Sequence, residues 1–401
     1  MAKISLQNIS KVFGPNARQA LRLHRQGLSR ESIRTKTRCT LALRDISFDI
    51  DSNELVVIMG LSGSGKSTLL RCINGLIAPT QGAVLVDGVD VTSLRGAALR
   101  RLRQKNFGMV FQNFALFPHR TVLDNAAFGL ECTGMGKAAR QRKSQEMLER
   151  VGLGQWGASY PHQLSGGMKQ RVGLARALAM DPDVLLMDEA FSALDPLIRQ
   201  EMQEELLNLQ EHIHKTIVFI THDLNEAFKL GNRVVLLEDG AVVQIGTPEE
   251  ILMAPATEHV ARFVASADIT QVLSAASVMK RSEDVAVLGR DGPRAALRKM
   301  RVHSITSLFV VDGHRRFVGI VHAVDAERRA AQGGSDLMDI TRTDIATVTP
   351  DAPIARVMEL MSDLPYALAV VDADRHLHGV IVRGLLLGAL VERRGCDDAA
   401  A

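Results

Sequence analysis

Short continuous apolar runs alternate with longer amphipathic stretches over the first two thirds of the chain. Leu55–Met59 and residues 184–187 are apolar at every position, a pattern typical of parallel strands that are buried on both faces of a sheet. Each run leads into a turn and then into a segment with helical periodicity. Strands that alternate with helices in this way indicate an α/β domain, which we place at residues 1–265.

The last third of the chain contains an internal repeat with a spacing of 60 residues. The pattern LFVVD at residues 308–312 recurs as LAVVD at 368–372, and GIV at 319–321 recurs as GVI at 379–381. Each copy predicts a strand, a polar turn, a second strand and a helix, with another helical stretch before them. Such a repeat predicts two similar α+β subdomains packed about a pseudo-twofold axis.

A glycine-rich turn with the sequence GLSGSGKS follows the first apolar run, at residues 60–67. A strand, this turn and then a helix are the context of a nucleotide phosphate loop. The glycines let successive N–H groups point at an anion, and the helix that starts near Lys66 adds its positive end. Lys66 is expected to reach the outer phosphates, and Ser67 to hold Mg²⁺. The predicted nucleotide contacts are Gly60, Ser62, Gly63, Gly65, Lys66, Ser67 and Thr68.

Two acidic residues, Asp188 and Glu189, end the second apolar run. In open α/β sheets ligands bind at the carboxyl ends of the strands. We therefore expect Asp188 to assist Mg²⁺. Glu189 is placed to orient and polarise an attacking water as a general base.

A second anion site is predicted where Ser165, Gly166 and Gly167 precede a helix of small residues. Ser165 has the chemistry of an N-cap, and the glycines let a ligand approach the helix closely. One nucleotide cannot easily use two separate helix N-termini of the same molecule. A head-to-tail homodimer, in which the Ser165 loop of each chain closes on the Lys66 loop of the other, would satisfy both sites.

The order of these motifs resembles the ATP-binding cassette (ABC) transporter ATPases. They are the phosphate loop, Gln112, LSGGMKQ at 164–170, Asp188 with Glu189, SALD at 192–195 and His222. The resemblance implies a P-loop NTPase that binds ATP, with a RecA-like core and a helical subdomain at about residues 113–180.

The same resemblance implies roles for four further residues. Gln112 would sense Mg²⁺ and the membrane partner, and His222 would contact the γ-phosphate. Phe13 would stack on adenine, and Asp195 would lie at the dimer seam. The predicted catalytic residues are thus Glu189, His222 and Gln112, and the predicted metal ligands are Ser67, Gln112 and Asp188.

The repeat at residues 281–401 resembles a tandem CBS module, a fold that often binds adenine nucleotides or senses ions. The small-residue stretch at 266–280 is interpreted as the linker that precedes it. A nucleotide or ion effector would make the module a regulatory switch. A structural dimerisation module is the alternative.

Several segments narrow the resemblance to the ATPase subunit of glycine betaine/proline betaine importers. They are the insert at residues 15–44, FALFPH at 114–119 and the stretch 188–199. The resemblance implies ATP-driven import of compatible solutes in osmoprotection, at the cytoplasmic face of the inner membrane. The partners would be integral membrane permease subunits and, indirectly, an extracytoplasmic solute-binding protein. The alternatives are an importer ATPase for choline or carnitine and a soluble ABC ATPase that is not coupled to transport.

Eight basic residues and a single acid, Glu31, make the insert at 15–44 unusual. The basic residues are Arg18, Arg22, Arg25, Arg30, Arg34, Lys36, Arg38 and Arg44. The pattern predicts a solvated basic helix pair. A face directed at anionic lipid or at a partner subunit is the alternative.

Composition restricts the partners further. A net charge of +3 and 4% aromatic residues argue against nucleic-acid binding by charge or base stacking. Four cysteines without a C-x-x-C pair (Cys39, Cys72, Cys132 and Cys396) predict reduced thiols in a cytoplasmic compartment. The N-terminus has no apolar signal region, and no apolar run approaches the roughly 20 residues of a membrane span. Any work at a membrane is therefore expected to require a partner.

Overall fold

A computed structural model describes residues 2–268, 270, 272–281, 284–384 and 386. The chain divides into two units, Met1–Val264 and Ala265–Ala401. Residues 387–401, which include Cys396 and part of the second predicted subdomain, lie outside the described residues.

The first unit alternates strands and helices. Its strands are β1 (Ile4–Phe13), β2 (Thr40–Ile50), β3 (Leu55–Met59), β4 (Gln81–Val86), β5 (Val89–Asp90), β6 (Phe107–Phe111), β7 (Val184–Asp188), β8 (Thr216–Thr221), β9 (Arg233–Glu238) and β10 (Ala241–Gly246). Its helices are α1 (Ala17–Arg25), α2 (Arg30–Thr37), α3 (Lys66–Ile73), α4 (Gly96–Asn106), α5 (Val122–Ala126), α6 (Phe128–Cys132), α7 (Lys137–Arg150), α8 (Gly166–Ala179), α9 (Pro196–Ile213), α10 (Leu224–Leu230), α11 (Pro248–Met253) and α12 (Glu258–Val264).

A six-stranded sheet with the order β10-β9-β3-β8-β7-β6 forms the centre of the described first unit. All neighbouring pairs from β9 to β6 are parallel, and β10 adds an antiparallel edge. Every residue of β3 is buried, as expected for a strand with neighbours on both sides and helices on both faces. The two apolar runs of the sequence are therefore the β3 and β7 strands of one sheet.

An antiparallel sheet, β2-β1-β4-β5, packs against this centre. Apolar side chains of both sheets and of α3 form one core that includes Ile4, Phe48, Ile58 and Leu70. The phosphate-loop helix is thus fixed from both sides by buried aliphatic contacts, which stabilise it by roughly 25 cal/mol per Å² of buried apolar surface.

The basic insert forms the predicted helix pair, α1 and α2. Ala20, Leu21 and Ile33 face a small core with Val12 and Leu41 of the antiparallel sheet. Ser29 caps α2 by accepting a hydrogen bond from the backbone N–H of Ser32 at 3.2 Å. The insert is therefore a packed part of the first unit, and its possible contact with lipid or a partner stays a prediction.

The second unit contains two similar three-stranded sheets among its described residues, β11-β12-β13 and β14-β15-β16. Its strands are β11 (Val285–Val287), β12 (Ser307–Val311), β13 (Phe317–His322), β14 (Thr347–Val348), β15 (Leu368–Val371) and β16 (Leu377–Ile381), and its helices are α13 (Ala275–Val278), α14 (Pro293–Val302), α15 (Ala323–Ala331) and α16 (Ile354–Asp363). In each sheet the first pair is parallel and the second antiparallel. The pairs Val310–Gly319 and Val370–Gly379 are in equivalent register, so the sequence repeat is a structural repeat.

The second half of the predicted linker at residues 266–280 packs into the second unit. Leu273, Ala275 and Val278 are buried in a core with Ile354 and Leu368 of the second repeat. Residues 273–280 therefore belong to the second unit.

Candidate functional site

The carboxyl ends of four adjacent parallel strands bring the predicted catalytic groups to one edge of the sheet. The phosphate loop follows β3, His222 follows β8, Asp188 ends β7 and Gln112 follows β6. These strands are neighbours in the order β3-β8-β7-β6. Side chains separated by up to 121 residues in sequence are therefore within hydrogen-bonding distance.

Two glycines of the phosphate loop are required by its close packing. Gly60 has a φ of 152°, and a Cβ atom there would lie 2.1 Å from the carbonyl oxygen of Leu237. Gly65 has a φ of 100°, and a Cβ atom would lie 2.6 Å from the carbonyl oxygen of Ala42. Any side chain at either position would force backbone apart, so the loop conformation depends on both glycines.

The ammonium of Lys66 lies inside the phosphate loop. Its Nζ donates to the carbonyl oxygen of Gly60 at 2.8 Å and to that of Leu61 at 3.2 Å. Burial lowers the pKa of Lys66, and the carboxylates of Glu189 and Asp188 oppose that shift. The loop thus holds a largely desolvated cation where the outer phosphates of a nucleotide would bind.

Ser67 and Asp188, two of the predicted metal ligands, are in direct contact. The hydroxyl of Ser67 donates to a carboxylate oxygen of Asp188 at 2.9 Å. Arg71, one helical turn after Ser67, reaches within 3.9 Å of the same carboxylate. Sequence reasoning missed Arg71, although its i, i+4 spacing from Ser67 on α3 could have revealed it.

The Ser67 hydroxyl and the Asp188 carboxylate suit Mg²⁺ better than they suit a metal ion whose ligands all come from protein side chains. Across the described residues, no group of three or more His, Cys, Asp or Glu side chains is arranged to hold a metal ion. Mg²⁺ keeps several waters and uses one or two carboxylates together with substrate phosphates. One hydroxyl and one carboxylate beside a phosphate loop fit that requirement.

Glu189 contacts the two other predicted catalytic residues. Its carboxylate accepts a hydrogen bond from the side-chain amide of Gln112 at 3.2 Å and lies 3.5 Å from Nδ1 of His222. The Gln112 amide also donates to the hydroxyl of Ser192 at 3.2 Å, a contact that sequence reasoning missed. Glu189 has a φ of 46°, an unfavourable backbone conformation that is often retained at functional sites.

A cavity of about 560 Å³ opens in front of the phosphate loop. Its lining consists of Ala42, Leu61, Ser62, Gly63, Gly65, Lys66, Ser67, Thr68, Glu189 and His222. Phe13 ends the neighbouring strand β1, with its side chain 42% exposed and Nζ of Lys11 5.0 Å from its ring centroid. Its predicted role in stacking on adenine stays a prediction.

The Ser165 motif and Asp195 lie outside this cavity lining, at two other helix N-termini. Ser165 caps α8 by accepting from the backbone N–H of Met168, and Asp195 caps α9 by accepting from that of Ile198. A Cβ atom at Gly167 would lie 2.4 Å from a methyl group of Ile198, so the two helix starts pack tightly. Within one chain these groups do not line the Lys66 cavity, as the head-to-tail dimer hypothesis requires.

Family models match both units. The ABC transporter model matches residues 43–192, and the CBS domain model matches residues 267–330 and 337–392.

Two characterised relatives are similar over nearly the whole chain. The glycine betaine transport ATP-binding protein OpuAA of Bacillus subtilis is 48% identical over 388 residues, which cover 97% of this chain and 92% of that protein. The glycine betaine/proline betaine transport system ATP-binding protein ProV of Escherichia coli is 46% identical over 400 residues, which cover 99% of each chain.

A solved structure supports the fold of the first unit. It is the dimeric post-hydrolysis state of the ATP-binding cassette MJ0796 bound to ADP and Pi, with a TM-score of 0.51 and 33% identity. The match covers 61% of this chain and 98% of that one.

Proposed function

The chain belongs to the ATP-binding subunits of ABC transporters, and we propose that it hydrolyses ATP to drive import of glycine betaine/proline betaine-type solutes through a membrane permease. The observation that carries this proposal is the contact of Glu189 with both Gln112 and His222, beside the phosphate loop. Near full-length similarity to OpuAA and ProV supports the solute class. Accumulation of such solutes would serve osmoprotection.

ATP would bind with its phosphates in the loop around Lys66. The carbonyl oxygens of Gly60 and Leu61 now accept hydrogen bonds from Lys66, and phosphate oxygens would replace them as stronger, charged acceptors. The backbone N–H groups of the loop and the N-terminus of α3 add to the attraction.

Ser67 and Asp188 would hold Mg²⁺, with Gln112 near the same edge. The ion would supply positive charge that offsets the negative charge of the nucleotide phosphates. The Ser67 hydroxyl can turn its lone pairs outward once its donated hydrogen bond to Asp188 is released, because a hydroxyl both donates and accepts.

Glu189 would act on the attacking water. Its carboxylate can accept a proton from the water, while the hydrogen bond from Gln112 and the His222 imidazole 3.5 Å away fix its orientation. His222 also lines the cavity, where an imidazole N–H can donate to a γ-phosphate oxygen. These groups orient the water and stabilise developing charge, which are the main contributions that enzymes make to phosphoryl transfer.

A homodimer would complete each site. Ser165, Gly166, Gly167 and Asp195 of one chain would face the nucleotide held by Lys66 of its partner. The match to a dimeric cassette supports this arrangement. ATP would then join the two chains, and hydrolysis would release them.

The chain would work as a peripheral subunit on the cytoplasmic face of the inner membrane. None of the helices in the described part of the chain is a candidate membrane span. Permease subunits would dock near Gln112 and residues 114–119, and an extracytoplasmic solute-binding protein would deliver the solute.

The second unit offers a candidate effector site. A cavity of about 570 Å³ lies between its two repeats. Lys280, Arg281, His303, Tyr366 and Arg383 are among the residues that line it. This mixture of basic and aromatic side chains would suit a nucleotide, whose phosphates need cations and whose base needs a stacking partner.

The test is uptake of labelled glycine betaine at high external osmolarity by cells whose own importers have been deleted. Cells that carry the wild-type chain with its permease should accumulate the solute, and cells with Glu189→Gln should not. Equal, background uptake by both would reject the betaine assignment. A tagged chain found wholly apart from membranes in cells that express the permease would instead favour a soluble ATPase.

A further inference from the structure

Two consecutive residues after Gln112 adopt the left-handed backbone conformation. Phe114 has a φ of 59° and Ala115 a φ of 47°. Neither is a glycine, asparagine or aspartate, the residues that tolerate this region best. Because this backbone conformation is unfavourable for both residues, contacts from elsewhere in the fold are needed to stabilise it. The turn begins two residues after Gln112.

The side chain of Arg176 holds this turn. From α8 its guanidinium donates to the carbonyl oxygen of Ala115 at 2.5 Å and to that of Phe114 at 3.0 Å. The same group lies 5.9 Å from the ring centroid of Phe111. One side chain thus contacts residues on both sides of Gln112.

Arg176 is a buried cation without a carboxylate partner among the described residues. It is 9% exposed, and burial lowers its pKa. Burying an unpaired charge is costly, so such groups persist where their hydrogen bonds are needed. The planar guanidinium of arginine holds its donor nitrogens in one fixed geometry, which the single ammonium of lysine cannot reproduce.

We propose that Arg176 is a positioning residue, which locks the turn after Gln112 to the helix that begins at Ser165. This inference rests on the proposed function, because it assigns Arg176 to the same hydrolytic site. Gln112 in turn donates to Glu189. Arg176, in the last turn of α8, is therefore linked to the catalytic carboxylate through the backbone of residues 112–115 and the Gln112 amide.

A second buried side chain fixes the rest of the segment. Asn125 is fully buried and donates to the carbonyl oxygens of Phe117, Arg120 and Thr121. Its own oxygen accepts from the N–H of Phe117 at 2.7 Å. Residues 117–121 are thus anchored independently, and loss of Arg176 should release the turn at 114–115 without unfolding residues 117–121.

The first test is hydrogen–deuterium exchange of the full, nucleotide-free chain. Arg176→Met should speed exchange in a peptide that covers residues 111–116 at least about tenfold, because hydrogen bonds from a charged donor are lost. Arg171→Met is the matched control: it removes a charge from the same helix, where Arg171 pairs with Glu205 at 3.2 Å. Wild-type exchange in that peptide, or an equal rise throughout the first unit, would overturn the proposal.

The second test separates binding from turnover in the full chain with its permease. Arg176→Met should lower kcat by up to about 100-fold, because small displacements of catalytic groups are costly, and leave ATP affinity at the wild-type value. Adding Ala115→Gly should restore part of kcat, since glycine adopts the left-handed conformation without strain. An unchanged kcat, or no recovery with glycine, would contradict a positioning role. Wild-type turnover and uptake test the proposed function separately.

Discussion

Hydrogen bonds fix the orientation of the Lys66 and Glu189 side chains. Phosphate oxygens of ATP would replace the acceptors of Lys66, whereas the contact of Glu189 would persist. Lys66 donates to two loop carbonyls, and Glu189 accepts from Gln112. Both groups are therefore oriented before the nucleotide arrives. Pre-oriented polar groups need little reorganisation during reaction, which is the main source of electrostatic catalysis.

Glu189→Gln should retain ATP binding and lose turnover. Glutamine keeps the size of the side chain, but its amide cannot accept a proton from water. We expect kcat to fall by roughly 100-fold or more, within the range of general-base contributions. ATP-dependent dimerisation should persist, and gel filtration with ATP would detect it. Turnover at the wild-type rate would remove Glu189 from the role of general base.

Lys66→Ala should abolish nucleotide affinity. The substitution removes a buried cation from the centre of the phosphate loop, and with it a charge-assisted contact to phosphate. Equilibrium binding of a fluorescent ATP analogue measures the loss. Lys105→Ala, which removes an exposed cation from α4, is the matched control. Binding by Lys66→Ala at wild-type affinity would refute the assignment of the phosphate loop.

At the scale of elements, the insert α1–α2 combines a basic surface with a small apolar core. Ile33 is fully buried between the helix pair and the antiparallel sheet. The exposed arginines form surface contacts, such as that of Arg30 with Asp239 at 3.2 Å. Exposed ion pairs contribute little to stability, so the apolar face holds the insert in place.

Ile33→Ala should lower the free energy of unfolding of the first unit by about 2–4 kcal/mol, the cost of removing a large buried aliphatic side chain. Arg34→Ala, on the next residue of the same helix, should change it by less than about 0.5 kcal/mol. Urea unfolding followed by the fluorescence of Trp156 measures both. Equal effects of the two substitutions would mean that the insert is held by its charges.

The turn between β15 and β16 should make the second unit sensitive to acid. A hydrogen bond from the His378 side chain and one from the backbone N–H of His376 lower the pKa of Asp372 from 3.8 to about 2. The carboxylate lies 3.0 Å from Nε2 of His378. A depressed carboxyl pKa stabilises the folded state above the unfolded value and ceases to do so as the pH falls through the folded value.

Asp372→Asn should therefore lower the melting temperature of the second unit at pH 7. The difference from wild type should shrink as the pH falls from about 4 towards 2. Scanning calorimetry over this range measures it, with Asp374→Asn as a control for loss of one charge in the same turn. A difference that does not depend on pH would show that the ionised form of Asp372 is not what stabilises the turn.

At the scale of the whole molecule, the chain joins a hydrolytic unit to a repeat unit, and each has cores of its own. The first unit carries every residue of the proposed ATP site. The second carries the cavity that would take an effector. Deletion of the second unit therefore tests whether it regulates hydrolysis.

A chain that ends at Val264 should hydrolyse ATP with its permease and lose activation by salt. Attraction between charged surfaces weakens as the Debye length falls from about 10 Å at 0.1 M to about 3 Å at 1 M, so an inhibitory electrostatic contact made by the second unit would loosen. The cut is placed before residue 265 because Leu273 and Ala275 belong to the second core. Salt dependence that survives the deletion would favour a structural dimerisation module.

The sequence by itself determined the phosphate loop, the acidic end of β7 and the repeat. Each is encoded by neighbouring residues: the glycine spacing of 60–67, the apolar run before Asp188, and the 60-residue register of the two copies. Such patterns report local backbone geometry, which depends on few residues. The order of the motifs then indicated the family resemblance, and with it the expected roles of Gln112 and His222.

Only the tertiary structure decided which side chains meet. The contacts of Ser67 with Asp188 and of Gln112 with Glu189 depend on the strand order β3-β8-β7-β6, and long-range strand pairing has no local signature. The local sequence does not distinguish Arg176 from the other residues of α8, because its hydrogen bonds to Ala115 and Phe114 join residues 61 and 62 positions apart in the chain. The burial of Leu273 in the core of the second repeat was likewise not evident from the sequence, because burial is a property of the packed chain.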